Sequence, residues 1–345
     1  FIGRATAALC SEDSRFLESQ QLLESAELAI RYLLRVQHPD GTIDLHTTNF
    51  NSPPDTAFAI EPLAAAASLL CNTSRDAMDT LANELEVFLR RAGESLIVGG
   101  IHTPNHRWVV CGGLAQLNDL YPNNRYVARI DEWLAEGIDI DADGQYTERS
   151  TSIYSATCDR VLITTARLLQ RPELLEPVRR NLEMTRFLVH PNGEVVTEIS
   201  RRQDQYKPGS LRRYYLPYRY MAVRDRNGDF AAMAMLIEEL QGEALSNELL
   251  YLLENPELRR DLPSPRPLPN SYIRHYSTSG LVRFREAKTS VTVISDNSTF
   301  FSMHQGKAVL QALRFASAFF GKGQFKGTLT FDERTCELVQ HLQGP

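Results

Sequence analysis

An amide, an imidazole and a guanidinium follow one another at Asn105, His106 and Arg107, directly after Pro104. Proline is tolerated in the first turn of a helix, because the N–H that it lacks would have no helical partner there. The pattern therefore predicts that the three side chains project from a helix start, where free backbone N–H groups and the helix dipole favour an anion. A helix cap followed by a partly buried histidine and a surface arginine is the alternative interpretation. Together the three groups suit a carboxylate ligand and a transferable proton.

A second group of polar side chains follows the turn Asp143-Gly144. Ser150 or Thr151 is predicted to cap the next helix, which places Tyr154 about one turn inside it. If alternate helices run in the same direction, this helix start and the one at Asn105 open at the same end and can converge on one ligand. A tyrosine packed in an amphipathic core is the alternative for Tyr154.

The elements that must position these residues are helices from about residue 17 to about residue 254, because apolar residues recur there at helical spacing. Glycine turns interrupt them mostly at intervals near fifty residues, and a short polar or β-prone stretch follows four of the five turns. These turns are Asp40-Gly41, Gly99-Gly100, Asp143-Gly144, Asn192-Gly193 and Asn227-Gly228. Repeated helical hairpins of this kind predict a mainly α fold, an (α/α) toroid whose loops surround a cleft at one end.

The composition changes near residue 255, where five prolines between positions 256 and 269 predict an extended linker. Beyond it, alternating or β-branched stretches predict strands at 272–276, 280–285, 290–295 and 328–331. The apolar run 308–320 is compatible with either a helix or a strand. We expect a toroid domain at 1–255, a linker at 256–270 and a sandwich-like β-rich module at 271–345. The module is shorter than a sandwich of about 100 residues, so we expect it to be incomplete.

Composition excludes several classes of protein. A net charge of −6 argues against a general nucleic-acid binder, and no apolar run approaches the length of about 20 residues that spans a bilayer. The five cysteines form no CxxC pair, no cluster has zinc-ligand spacing, and neither a P-loop nor a dinucleotide fingerprint occurs. We therefore expect buried free thiols and no cofactor, with a structural divalent metal left open. The sequence does not indicate an oligomeric state.

The succession Asn105-His106, Asp143-Gly144, Glu148-Arg149 and Tyr154-Ser155, set among helical hairpins and ahead of a β-rich module, resembles the heparinase II/III-like and oligo-alginate-lyase-like polysaccharide lyases. The similarity covers about residues 20–330 in architecture and rests on specific residues between 103 and 158. Where those enzymes have Asn-His-Gly or a near variant, this chain has Asn-His-Arg, which leaves the subfamily and the substrate open. The resemblance implies a periplasmic or secreted enzyme that cleaves a uronate-containing polysaccharide by β-elimination, whereas free cysteines fit a reducing compartment better.

The residues meet the physical demands of that reaction. Removal of the C5 proton requires neutralisation of the adjacent carboxylate, which Asn105 can provide by hydrogen bonding, with Arg107 or Arg149 assisting. His106 or Tyr154 would be the base, depending on the C5 configuration, and a tyrosine can also protonate the departing O4. Because the ordinary pKa of a tyrosine is about 10, Tyr154 needs nearby positive charge to act as a base.

Further polar residues are predicted to bind the anionic sugar chain. They lie in the first loop, beside the Asp143-Gly144 turn, and after His190: His46, Asn49, Asn51, Tyr146, Glu148, Arg201, Arg202 and Gln203. Turn chemistry around Pro53-Pro54 is the alternative for the first loop, and a solvated run of charges is the alternative for the last three. Either His275 or His304 is expected to reach the cleft from the β-rich module.

Two other functions remain open on the sequence. A glycoside hydrolase on the same toroid would use two opposed carboxylates, for which Asp55, Asp143 and Glu148 are available. A non-catalytic glycan-binding protein would bind a glycan without turnover. The sequence ranks none of the uronate polymers, such as alginate, glucuronan, heparan, chondroitin or hyaluronan, and does not separate endo from exo cleavage.

Overall fold

The computed structural model describes residues 1–73, 76–316 and 323–343. These ranges contain eleven α-helices and nine β-strands. The first two strands lie between the second and third helices, and the other strands follow the last helix. The helices are α1 (Ile2–Cys10), α2 (Gln20–Val36), α3 (Pro53–Cys71), α4 (Asp79–Val98), α5 (Pro104–Leu120), α6 (Asn124–Ala135), α7 (Tyr154–Leu168), α8 (Leu175–Thr185), α9 (Tyr215–Asp225), α10 (Gly228–Gln241) and α11 (Leu249–Glu254). The strands are β1 (Ile43–Leu45), β2 (Asn49–Ser52), β3 (Ser271–Tyr276), β4 (Leu281–Glu286), β5 (Thr289–Ile294), β6 (Phe301–Gln305), β7 (Ala308–Leu313), β8 (Thr328–Asp332) and β9 (Thr335–Val339).

The helices form two layers. The inner helices α3, α5 and α7 pack side by side and are buried on most sides, and α3 is rich in alanine and leucine and has no sustained polar stripe. The outer helix α2 is amphipathic: it buries Leu23, Ala26 and Ile30 on one face and exposes polar residues on the other. The predicted helical toroid is therefore present, and no described helix has the length and apolar character that crossing a bilayer requires.

The inner helices begin at the same end of the toroid. The Ser52 hydroxyl accepts a hydrogen bond from the backbone N–H of Asp55, and Pro53 occupies the first position of α3. Pro104 occupies the same position in α5, as predicted. The helix predicted to begin near residue 151 starts instead at Tyr154, because the residues just before it form turns. Tyr154 thus lies at the mouth of the toroid.

The C-terminal part is an antiparallel sheet in the order β3-β4-β5-β6-β7, followed by the hairpin β8-β9. The strands predicted at 272–276, 280–285, 290–295 and 328–331 are confirmed to within one residue at each end. The first part of the ambiguous run 308–320 is strand β7, and residues 317–320 lie outside the described residues. The sequence patterns missed α1, β2, β6 and β9.

One face of the sheet is polar and buried. Its side chains come from alternate positions of three paired strands, as the pleat requires: Arg283, Ser290, Thr292, Ser302 and His304. Arg283 is fully buried and donates to the backbone carbonyls of Phe187 and Val189, at 3.1 and 3.4 Å, and to Ser290 Oγ at 2.9 Å. This arginine joins the sheet to the segment that follows α8.

Replacement of Arg283 by methionine should destabilise the protein strongly, because several buried acceptors lose their donor at once. An unsatisfied buried acceptor costs about 1–3 kcal/mol, so we expect the free energy of unfolding to fall by about 3 kcal/mol or more in urea titrations. Arg285→Met is the matched control on the same strand, since among the described residues the Arg285 side chain has a single hydrogen bond, a 3.5 Å contact with the carbonyl of Ala287. Equal effects of the two substitutions would contradict the anchoring role of Arg283.

Candidate functional site

A tight turn carries Glu148 to the mouth of the toroid. Gly144 has a φ of +98°, and a Cβ at this position would lie 2.4 Å from the carbonyl oxygen of Arg180. Only glycine combines this conformation with so close an approach. The Asp141 carboxylate accepts the backbone N–H groups of Asp143 and Gln145, which closes the turn. The turn therefore has a fixed shape, and the chain that leaves it passes the start of α5.

The Glu148 carboxylate is held by α5 and by Arg202. Its Oε2 accepts the Asn105 side-chain amide at 2.6 Å and the Asn105 backbone N–H at 3.2 Å. Its Oε1 lies 3.2 Å from Nη1 of Arg202. A helix N-terminus offers backbone N–H groups that have no helical partner, and here a carboxylate uses one of them. We call Asn105, Glu148 and Arg202 the Glu148 cluster.

The Asn105 amide has no free N–H in this conformation. Its second N–H donates to Thr103 Oγ1 at 2.9 Å, and its carbonyl oxygen is buried without a hydrogen-bond partner among the described residues. The side chain is almost fully buried. A direct hydrogen bond from Asn105 to a ligand therefore requires Glu148 or Thr103 to release the amide.

The phenol of Tyr154 lies beside the Glu148 cluster. The Tyr154 ring is half-buried, and the Arg202 guanidinium lies 5.1 Å from its centroid. The side-chain amide of Gln203 donates to the phenol oxygen at 2.7 Å. An N–H donor and a cation both stabilise negative charge on that oxygen. Arg202 thus connects the two helix starts that the sequence predicted to converge.

His106 is a neutral imidazole at the edge of this group. Burial lowers its pKa from the model-peptide value of 6.5 to about 4, while Asp55 partly opposes this shift and His102 and Arg202 add to it. The ring lies edge-on to Phe58, with 6.1 Å between the centroids, and the backbone N–H of His102 lies 3.4 Å from His106 Nδ1. A neutral imidazole can accept a proton.

Two predicted substrate-binding residues lie elsewhere. Arg107 forms ion pairs with Glu136 at 2.6 Å and Asp139 at 3.6 Å, and its side chain is mostly buried there. Tyr146 is buried in the core and donates to Asp159 at 2.9 Å. Neither side chain joins the Glu148 cluster.

The first loop, which contains three of the other predicted residues, leads directly into the start of α3. The first loop is a hairpin in which Asn49 donates to Asp55 at 3.0 Å and the Asn51 backbone N–H donates to Asp44 at 2.7 Å, while His46 is exposed. Both contacts fit the turn chemistry that was the alternative for this loop.

Arg149 and Arg201 lie at the boundary with the β-rich module. Arg149 donates to the carbonyl of Ser279 at 2.8 Å, and Arg201 is exposed. Burial lowers the pKa of Arg149, and the charge of Arg201 adds to this effect. Together with Gln203, which is also exposed, these residues border the same end of the toroid as the Glu148 cluster.

Sequence reasoning did not select Phe50 or His102. Phe50 is 68% exposed at the hairpin, and the His102 ring lies 5.9 Å from that of His106. An aromatic residue within the polar run from His46 to Asn51 was the available signal for Phe50. For His102, the signal was a second histidine four positions before His106.

The fold of this chain is similar to that of solved protein structures. No protein-family profile and no curated protein sequence matches the chain. Similar solved structures include a heparinase III, the BT4657 gene product, with a TM-score of 0.55 and 12% identity, covering 90% of this chain and 49% of that one. Another is the heparan sulfate lyase HepC from Pedobacter heparinus, with a TM-score of 0.54 and 13% identity, covering 88% of this chain and 46% of that one. The chain has a heparinase-like fold and spans about half the length of these proteins.

The His106 imidazole should titrate far below the usual range. With a folded-state pKa of about 4 and an unfolded value of about 6.5, the unfolded chain binds a proton that the folded chain does not, between these two pH values. The contribution of His106 to folding stability is therefore complete above about pH 6.5 and falls as the pH drops towards 4. NMR of the imidazole C–H signals measures the midpoint, and His106→Gln assigns the resonance. A midpoint at 6.5 or above would contradict the burial argument.

Proposed function

We propose that the chain carries the active site of a polysaccharide lyase that cleaves a uronate-containing glycan by β-elimination. One observation carries this proposal: the Tyr154 phenol lies against the Arg202 guanidinium and beside the Glu148 cluster, where two inner helices begin. The similar solved structures are described as a heparinase III and a heparan sulfate lyase, which supports an anionic polysaccharide as the substrate class. A polymeric substrate of this kind fits a periplasmic or secreted enzyme.

Arg202 is the group best suited to the substrate carboxylate. A guanidinium binds a carboxylate through parallel N–H donors and neutralises its charge, which makes the adjacent C–H more acidic. The Arg202 side chain is 29% exposed and is held from behind by Glu148. In this arrangement Asn105 is a positioning residue, because both of its amide N–H groups hold Thr103 and Glu148. If a substrate carboxylate displaces Glu148, the amide and backbone N–H of Asn105 become a direct carboxylate site.

Tyr154 and His106 are the groups proposed for the two proton transfers, removal of the C5 proton and protonation of O4. A base removes the C5 proton, the electron pair of that bond forms the C4=C5 double bond, and the C4–O4 bond breaks. The departing O4 takes a proton, for which the half-exposed phenol of Tyr154 is the proposed acid. The base is Tyr154 itself or the neutral His106 imidazole, according to the face of the sugar on which the proton lies.

A panel of uronate polymers tests the reaction class. Elimination creates an unsaturated uronyl end, which absorbs in the ultraviolet, and we expect this absorbance to appear with at least one of alginate, glucuronan, heparan, chondroitin or hyaluronan. New reducing ends without that chromophore would identify a hydrolase instead. Binding without either signal would identify a glycan-binding protein, and both outcomes would overturn the proposal.

Tyr154→Phe should lower kcat on the active polymer by about 10²–10⁴-fold, because the substitution removes only the hydroxyl that transfers the proton. The Tm of this variant should differ little from that of the wild type, since the aromatic ring remains in place. Tyr32→Phe is the control for the same chemical change on the exposed side of α2. Retention of most of the wild-type kcat by Tyr154→Phe would remove Tyr154 from the mechanism.

Arg202→Gln should both raise KM and lower kcat, because it removes the cation that binds the carboxylate and stabilises the developing charge. We expect kcat/KM to fall by at least about 10²-fold, the size of effect found when an oxyanion donor is removed. Arg15→Gln, at an exposed arginine, controls for the loss of one positive charge. An unchanged kcat with only a raised KM would limit Arg202 to binding.

A further inference from the structure

The loop that carries Arg202 and Gln203 contains a buried carboxylate. Between residues 201 and 208 the other side chains are exposed or partly exposed, whereas Asp204 has 3% of its surface exposed. An aspartate is seldom buried to this extent unless its oxygens are hydrogen-bonded, because a carboxylate loses its hydration when it leaves water. The contacts of Asp204 therefore indicate what the loop is attached to.

Both oxygens of the Asp204 carboxylate accept a hydrogen bond. Oδ2 accepts the backbone N–H of Ser152 at 3.2 Å, and Oδ1 accepts the hydroxyl of Ser200 at 2.5 Å. Ser152 lies in the turn just before α7, two positions before Tyr154. A single side chain thus joins the loop to the helix start that bears the phenol, across 52 positions of sequence.

Ser200 extends this contact to the backbone of Arg202. Ser200 is buried, and its Oγ accepts the backbone N–H of Arg202 at 3.1 Å. A hydroxyl has one hydrogen to donate and two lone pairs that accept. Because the hydrogen is donated to Asp204, the lone pairs remain for the N–H of Arg202. We call Ser152, Ser200 and Asp204 the Asp204 network.

Backbone hydrogen bonds hold the rest of the loop. The carbonyl of Arg202 accepts the N–H of Gln205 at 3.1 Å, so both backbone polar groups of Arg202 are hydrogen-bonded. The N–H of Arg201 donates to the carbonyl of Glu148 at 3.1 Å. Together with the Asp204 network, these bonds leave the loop little freedom to move relative to the start of α7.

Two side chains of this loop meet at the Tyr154 phenol. The Arg202 guanidinium lies 5.1 Å from the ring centroid, and the Gln203 amide donates to the phenol oxygen at 2.7 Å. Both side chains are long and at least partly exposed, so their placement depends on the backbone that bears them. A preorganised site tolerates displacements of only about 0.5 Å. A small shift of the loop would therefore move both groups away from the phenol.

Glu148 holds a different part of Arg202. Its Oε1 contacts Nη1, at the far end of the Arg202 side chain. That contact does not involve Gln203, whose position at the phenol follows from the backbone of the loop. The two carboxylates therefore have separate tasks. Glu148 balances the charge of the guanidinium, and the Asp204 network sets the position of the backbone that bears both Arg202 and Gln203.

We propose that Asp204 is a positioning residue of the candidate active site, because it fixes the loop of Arg202 and Gln203 against the start of α7. The inference rests on the proposed lyase function and adds a residue to it: Asp204 acts through the groups that contact Tyr154 and not on the substrate. The role requires an acceptor for the Ser152 N–H and a hydrogen-bond partner for the neighbouring hydroxyl, and it does not require a negative charge.

Hydrogen–deuterium exchange of the full chain, measured by mass spectrometry, tests the network without any turnover. In Asp204→Ala we expect faster deuterium uptake than in the wild type in the peptides that cover residues 150–154 and 200–205. The reason is that the backbone N–H of Ser152 loses its acceptor, and the hydroxyl that accepts the N–H of Arg202 loses its orientation.

Three further variants separate the network from a general loss of stability. Asp204→Asn should resemble the wild type, because the new amide can accept from Ser152 and donate to the Ser200 hydroxyl. Ser200→Ala is the milder change should Asp204→Ala lower the Tm strongly, and it should speed uptake at 200–205 alone. Asp261→Ala removes an exposed carboxylate and should leave both peptides unchanged.

A double-mutant cycle on the active polymer tests the effect on the reaction. Asp204→Ala should lower kcat/KM by about 10- to 10²-fold, since a misplacement of about 1 Å can cost that much. In the Arg202→Gln background the same substitution should cost less than about threefold, because the group that Asp204 positions is already absent. Asp204→Asn should keep most of the wild-type kcat/KM.

Two results would overturn the proposal. One is wild-type deuterium uptake in both peptides of Asp204→Ala. The other is an equal loss of kcat/KM in the two backgrounds, which is the behaviour of a residue that only stabilises the fold. If the wild type cleaves no polymer, the lyase proposal fails on its own, and the exchange of Asp204→Ala still decides whether Asp204 holds the loop.

Discussion

The buried carboxylate of Glu148 is the interaction on which the candidate site depends. A carboxylate removed from water must be paired and hydrogen-bonded, since an uncompensated buried charge is strongly destabilising. The start of α5 supplies an amide and a backbone N–H, and Arg202 supplies the opposite charge. One side chain thereby joins three segments that are far apart in the sequence, and it sets the position of the guanidinium above the Tyr154 ring. Substitution of any member changes the surroundings of the other two.

A second junction, between the toroid and the sheet, combines an apolar and a polar contact. A small cluster that includes Met184, Leu188 and Ile294 packs there, separate from the main helical core. Beside it, Arg283 uses its N–H groups on carbonyls and hydroxyls of both parts. Apolar burial is non-directional, whereas these hydrogen bonds require one register between the sheet and the segment after α8. The polar contacts thus specify how the two parts meet, and the apolar contacts add to their association.

The sequence predicted the helices well because their apolar spacing and their glycine turns are local signals. The same signals led to the prediction that the helix starts with Asn105, His106 and Tyr154 open at one end, on the condition that alternate helices run in the same direction. It did not predict that Arg107 faces away from the Glu148 cluster. Arg107 lies two residues after Asn105, which corresponds to a rotation of about 200° around the helix axis. The burial of Tyr146 depends on Asp159, a partner that no local pattern identifies. Likewise, the contact of His304 with His190 depends on how the sheet docks.

The proposed elimination and the alternative hydrolysis make different demands on the carboxylates. A hydrolase needs one carboxyl group to donate a proton and a second to act from the opposite side of the sugar. Glu148 is already bound by Asn105 and Arg202, and Asp55 accepts hydrogen bonds from Asn49 and Ser52. Asp143 accepts the backbone N–H of Ser279, where the toroid meets the sheet. All three acidic residues therefore already act as acceptors within the fold, and the Tyr154 and Arg202 side chains are partly exposed. In the proposed elimination, the Tyr154 phenol would transfer a proton and the Arg202 cation would neutralise the substrate carboxylate.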